Sequence, residues 1–332
     1  MRDNWGILGH EWAVDMLRGH LARGRLRHAY LFTGPPGLGK RTLALRFAQA
    51  LNCPQPPAPG EACRSCKTCR QIEAMQFPDL AVVQAEREGG VLKVEQVREA
   101  QHSLSLKPFQ GTYRVALFLR FQEANQNAAN ALLKTLEEAP SYAVLILTAD
   151  TPEQLLPTIV SRCEVLRLRP LPVEAVEAYL MERGVDETRS RLLAGLSGGR
   201  PGYALRLQQD PDALEFRSRR MDDLPKLLTA TRRERFSYAE SLARDKEAFR
   251  STLLLWLAYW RDVLLRAAGS GTPIANVDRA EEIEKLAAGL SLPEARKRVV
   301  DLEKAVERLE RNVNPRLLAE VVLLDWPRLS PA

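Results

Sequence analysis

The chain has 332 residues, carries 48 Lys and Arg against 42 Asp and Glu for a formal charge of +6, and is 45% hydrophobic. This is the composition of a globular protein with room for two or three domains, and so small a basic excess permits contact with nucleic acid without demanding it. The most apolar run, Leu253–Trp260, is closed by Arg261 and Asp262, which excludes a spanning helix of roughly 20 apolar residues. Met1–His10 lacks the apolar core of a signal peptide, so the expectation is a cytoplasmic protein with no membrane partner.

In chain order, His28–Thr33 predicts a strand and Arg41–Leu51 a helix, with a glycine loop between them. A cysteine- and proline-rich insertion follows, then a strand at Leu80–Gln84, a helix at Lys93–Ser103 and a strand at Arg114–Leu119. Ala128–Glu138 predicts a helix stopped by Pro140, and Ala143–Thr148 and Val165–Leu168 predict two more strands. Strands alternating with helices predict a three-layer α/β sandwich on a largely parallel sheet over residues 1–168. After Arg169-Pro-Leu-Pro172 the strand signals vanish. Residues 169–209 read as a small helical lid with a turn at Ser197–Gly202, and 210–332 as a separate all-helical domain. Within it, Ser291 and Glu294 have capping-box spacing, and Asn314-Pro315 predicts N-cap and first residue of a last helix running to about Asp325. Trp256 and Trp260, one turn apart, read equally as helix core or as anchors for another subunit.

The glycine loop, Gly34-Pro-Pro-Gly-Leu-Gly-Lys-Arg-Thr42, is a phosphate-binding pattern with one member changed. Gly34, Gly37 and Gly39 allow backbone N–H groups to turn toward phosphate, and Lys40 supplies the countercharge. The hydroxyl that should ligate Mg²⁺ is replaced by Arg41, and Thr42 lies about 100° further round the helix. A hydrolysing site also needs an acid pair ending a later strand. There the chain has Leu119 and Arg120, with Glu123 as the nearest carboxylate. Two parts of a magnesium site are therefore missing, which predicts no hydrolysis and leaves nucleotide binding as an open alternative to an empty loop kept for packing. An active motor rescued by Thr42 and Glu123 is the rival reading.

Cys53, Cys63, Cys66 and Cys69 form a C-x9-C-x2-C-x2-C cluster within residues 53–69. Thiolates this close in a cytosolic chain point to a metal rather than to disulfides. Four sulfurs complete the tetrahedral shell of Zn²⁺, so the site is expected to be structural, with an iron–sulfur cluster as competitor. Cys163 stands apart and reads as a small buried residue.

Ala128-Ala-Asn-Ala-Leu-Leu-Lys-Thr-Leu-Glu-Glu138 and Thr158-Ile-Val-Ser-Arg-Cys163, together with the four-cysteine insertion, resemble the clamp-loader ATPases of the AAA+ class in bacterial DNA polymerase III. The resemblance is close over Ile7–Gly202 and looser toward Leu324. It implies an AAA+ P-loop core, a helical lid and a C-terminal collar that oligomerises. It also implies γ/τ and δ subunits as partners and, through the assembly, a sliding clamp and primer–template DNA on the nucleoid. Arg162 matches the family's arginine finger, offered in trans to a neighbouring ATPase. Near Gly202 the arginine with which motor subunits sense the γ-phosphate is absent, so the resemblance falls to the non-motor branch. A purely structural zinc-bearing scaffold is the remaining alternative.

Overall fold

The computed structural model describes residues 4–87, 89–311 and 313–328. They divide into two compact units, one of residues up to 172 with 199–203, the other of 173–198 with 204 onward.

In the first unit, β1 (Ala29–Thr33), β2 (Leu80–Val83), β3 (Arg114–Phe118), β4 (Ala143–Ala149) and β5 (Glu164–Arg167) form one sheet in the order β2-β3-β4-β1-β5. Every pairing is parallel. β1 and β4 are buried at every position, as central strands covered on both faces must be. The period of two then sorts side chains between layers. Tyr30, Phe32, Val144 and Ile146 pack with α1 (Glu11–Ala22), α2 (Lys40–Asn52) and α3 (Lys67–Glu73). Ala29, Leu31, Leu145 and Leu147 pack on the other side with α4 (Val94–Ser105), α5 (Gln126–Glu137) and α6 (Pro157–Val160). This is the expected three-layer α/β core on a parallel sheet, with the glycine loop leaving the sheet from central β1. Three helices, α1, α3 and the short α6, are additions to the predicted set.

Two buried polar side chains fasten the segment between α4 and β3. Asp79 accepts the N–H groups of Phe109, Gln110 and Gly111 at 2.8, 2.7 and 2.7 Å and meets Arg114 at 3.3 Å. Asn52 Oδ1 accepts from Thr112 and Tyr113, both at 2.9 Å. The two side chains thus satisfy five successive N–H groups that no strand or helix would otherwise pair.

The second unit contains α7 (Val173–Glu182), α8 (Glu187–Ser197) and most of α9 (Pro201–Gln209), followed by α10 (Pro211–Thr229), α11 (Arg232–Leu242), α12 (Lys246–Ala267), α13 (Ala280–Ala288), α14 (Leu292–Glu310) and α15 (Pro315–Leu324). The last six share one core. Trp256 and Trp260 lie wholly inside it, edge-on to Trp326 at centroid distances of 4.8 and 6.1 Å. They are helix core, and the subunit-anchor alternative fails on their burial. Arg235 is buried too and donates to five carbonyls, those of Leu227, Leu228, Leu323, Trp326 and Pro327. The predicted capping box at Ser291 and Glu294 and the Asn314 cap are both present. Among the described residues no helix is long and apolar enough to cross a membrane.

Burial opposes ionisation of Asp79, but its three N–H donors and Arg114 outweigh that cost and hold its carboxyl below the usual range. A depressed folded pKa contributes stability above the unfolded value of about 3.9, lost as pH falls through the folded value. Asp79→Ala is expected to lower unfolding free energy at pH 7 by about 3 kcal/mol. Urea melts at pH 7 and below pH 4 check this, with the gap from the unmodified chain narrowing in acid.

Candidate functional site

The loop after β1 has the shape that the spacing predicts. Gly34, Gly37 and Gly39 all have positive φ, and α2 begins at Lys40. The requirement for glycine is sharpest at Gly37. A Cβ there would lie 2.8 Å from the Tyr203 nitrogen, and the Gly202 N–H donates to the Gly37 carbonyl at 2.8 Å. The turn at Ser197–Gly202 therefore rests, backbone to backbone, on the glycine loop. Arg200 in that turn stacks its guanidinium over the Tyr203 ring at 4.6 Å.

Lys40 is buried and points back along its own loop. Its Nζ donates to the Gly34 carbonyl and, at 2.8 Å, to Asp150 Oδ1. Burial lowers the Lys40 pKa, and the bond to Asp150 works against that shift. Arg41 and Thr42 are both exposed, away from the buried lysine. Leu119 is buried, and Arg120 has a left-handed backbone with its Nε 2.8 Å from Glu123 Oε1. The same oxygen of Glu123 accepts the Gly89 N–H at 2.9 Å. Glu123 is thus engaged by two donors of its own neighbourhood, which counts against its rescue of a metal site. Asp150 was not singled out from sequence. The available signal was an acid directly after a central parallel strand, where such sheets gather their ligands.

Arg162 follows α6 in the turn into β5. Its Nη2 meets Glu137 Oε1 at 2.6 Å, its Nη1 donates to the Thr158 carbonyl at 2.9 Å, and about a third of the side chain is exposed. Glu137 was read only as part of a helix motif, because nothing in the spacing shows that α5 ends beside that turn. Cys163 is separate from the cysteine cluster, and burial pushes its thiol up to about 12. At neutral pH it is an inert thiol.

The cluster assembles as predicted. The sulfurs of Cys53, Cys63, Cys66 and Cys69 all lie within 4.8 Å of one another, with Cys53–Cys63 at 3.6 Å and Cys63–Cys69 at 4.0 Å. Four arms of about 2.3 Å to a tetrahedral ion would space sulfurs by roughly 3.8 Å. Backbone N–H groups point at the sulfurs, from Cys63 to Cys53, from Cys66 to Cys63 and from Cys69 to Cys66. Donors from Cys66 and Ser65 bring the Cys63 thiol down to about 6, while burial pushes Cys53 and Cys69 up. Several thiolates packed this closely repel one another, and a divalent ion at their centre would offset that repulsion. Gln49, wholly buried in α2, donates to the Cys69 carbonyl at 2.7 Å and so ties the module to the core.

The sequence profile of the family described as DNA polymerase III, delta subunit, matches residues 9–172, and that of its C-terminal region matches 211–328. DNA polymerase III subunit delta' of Pseudomonas aeruginosa is 34% identical over 323 residues, covering 92% of this chain and 94% of that protein. The Bacillus subtilis delta' is 29% identical over 315 residues and 94% of both chains. The chain belongs to the delta' family of DNA polymerase III subunits. Similarity to subunit tau of Escherichia coli is 35% over 174 residues, which is 52% of this chain but only 26% of tau. A Thermotoga maritima protein related to the gamma subunit superposes over 94% of the chain at a TM-score of 0.44 and 18% identity. The delta' relatives therefore match along nearly the whole chain, and tau along about half of it.

For the cysteine module of this delta' family member, elemental analysis is expected to find about one metal ion per chain. Cys66→Ser or a strong chelator should abolish it and lower the thermal midpoint by several degrees. Metal-free protein of unchanged midpoint would contradict the assignment.

Proposed function

We propose that the chain is the δ′ subunit of a DNA polymerase III clamp loader, a non-hydrolysing member that offers Arg162 to ATP held by an adjacent γ/τ subunit. The assembly, with γ/τ and δ, would load a sliding clamp onto primed DNA on the nucleoid, in the cytoplasm. In this reading residues 169–209 act as lid and 210–332 as the oligomerising collar, and the four cysteines hold Zn²⁺ as a structural ion.

One observation carries the reading. Tyr30 pairs with Glu164, the first residue of β5, so the turn that carries Arg162 lies at the edge where β1 begins, while Gly34 follows β1 at the other edge. The strand between them, from Tyr30 to Gly34, alone spans roughly 13 Å at about 3.3 Å per residue, which separates Arg162 from the loop of its own chain. A finger there serves a site on another chain or none. Its own loop is suited to silence, with Lys40 bonded to Gly34 and Asp150, Arg41 in the hydroxyl position, and Leu119 and Arg120 in place of an acid pair at the end of β3. A guanidinium reaching a neighbour's γ-phosphate would exchange Glu137 for phosphoryl oxygens, a trade between two anions with little net desolvation. The scaffold reading is favoured by the same Glu137 pair, which gives Arg162 a purely local role.

The isolated chain is expected to show no ATP turnover. In a complex reconstituted with γ/τ and δ, Arg162→Ala should cut clamp- and primer-stimulated turnover by about 10³-fold where this finger governs the step. Turnover by the chain alone would overturn the silent site, and an Arg162→Ala complex of unchanged rate would leave the scaffold. Metal analysis should find zinc, not iron.

A further inference from the structure

A groove of about 580 Å³ opens between the end of α1 and the segment leading into β1. Three arginines from one short loop, Arg23, Arg25 and Arg27, line it together with His20. The loop is built rather than slack. Gly24 turns it with φ +62°, the Arg25 N–H donates to the His20 carbonyl at 2.9 Å, and the Arg27 N–H donates to Tyr30 Oη at 3.0 Å. His20 Nδ1 meets the same Tyr30 oxygen at 3.0 Å, so one buried phenol on central β1 fixes both walls of the groove.

Charge is left over in it. The one lining carboxylate, Asp15, is already paired with Arg18 at 2.7 Å. Arg27 has a loose pair with Glu164 at 3.7 Å, and among the described residues no carboxylate lies within ion-pair distance of Arg23 or Arg25. A cation just past a helix C-terminus can simply complement the helix dipole, which accounts for Arg23. Arg25 and Arg27 lie beyond the last turn of α1, where that effect has decayed.

We propose that this groove is a second phosphate site, independent of the glycine loop, which takes consecutive phosphates of a nucleic-acid strand. Guanidinium forks bind phosphate oxygens bidentately, and three of them at alternate positions along one loop suit a chain of phosphates better than a single one. No Phe, Tyr or Trp lines the groove to hold a base, so a free nucleotide would be gripped by its phosphates alone. An acidic protein surface is a poorer match, because the only apolar side chains there are the half-covered Met16 and Leu26.

The test is binding of a fluorescein-labelled primer–template duplex to the full chain by anisotropy, from low salt to 0.2 M. The chain is compared with Arg23→Ala/Arg25→Ala/Arg27→Ala and with the matching triple lysine variant, all checked for unchanged melting. The alanine variant should bind at least about tenfold more weakly at low salt, and its log affinity–log salt slope should be shallower by about 2 to 3. The lysine variant should keep the slope while losing affinity. Equal slopes for the chain and its alanine variant, or no DNA binding at low salt, would overturn the site. So would displacement of the duplex by millimolar ATP in the unmodified chain but not in the alanine variant, which would mark a nucleotide site. Loss of binding to purified γ/τ with DNA affinity intact would reassign the groove to a protein neighbour and would also overturn the proposal.

Discussion

Parallel pairing of β1 between β4 and β5 is the constraint on which the rest of the first unit hangs. Parallel strands all start at one edge of the sheet and all end at the other. The glycine loop, Asp150 and the turn after β3 lie at the ending edge, because each follows a strand. Arg162, the arginine loop before β1 and the segment held by Asp79 lie at the starting edge, because each precedes one. Chemistry that needs a loop and a finger together cannot be completed inside such a unit. The separation of the glycine loop from Arg162 follows from the topology before any side chain is considered.

The loop that we propose to be silent is nonetheless well ordered by its own contacts. Gly37 and Gly202 meet through their backbones, and the Lys40 ammonium is satisfied by a carbonyl and a carboxylate. Groups that would wrap a phosphate in a motor instead satisfy one another. The glycine at position 37 is needed whatever the loop binds, because a Cβ there meets the protein's own Tyr203 backbone. A retained glycine pattern is compatible with the proposed silence, because the same backbone curvature serves packing.

Much of this was legible in the sequence, for identifiable reasons. The strands stood out because each is a short apolar run, and the central ones are buried on both faces. The cysteine cluster and the altered loop were legible because their meaning lies in local spacing. What escaped depends on partners distant in sequence. Asp150 acquires its role from Lys40, 110 positions away, and Glu137 from Arg162, 25 positions away. Asn52 and Asp79 look like ordinary surface polar residues until the fold brings five backbone N–H groups to them. Trp256 and Trp260 stayed ambiguous because an amphipathic stripe does not say whether its cover is the same chain or another.

Arg235 has a consequence for how the molecule is made. Three of its five carbonyl acceptors, on Leu323, Trp326 and Pro327, lie 88 to 92 residues further along the chain. During synthesis α11 leaves the ribosome with a guanidinium that cannot be buried until those acceptors arrive. At about 5–20 residues per second that interval is roughly 5–18 s. A cation stripped of its partners is too costly to enclose, so the helical domain must wait in an open form while the sheet, complete by Arg167, is free to close ahead of it. Vectorial folding would therefore deliver the α/β unit first and leave the tryptophan-rich helices exposed longest, as the part of the nascent chain most in need of a chaperone's shelter.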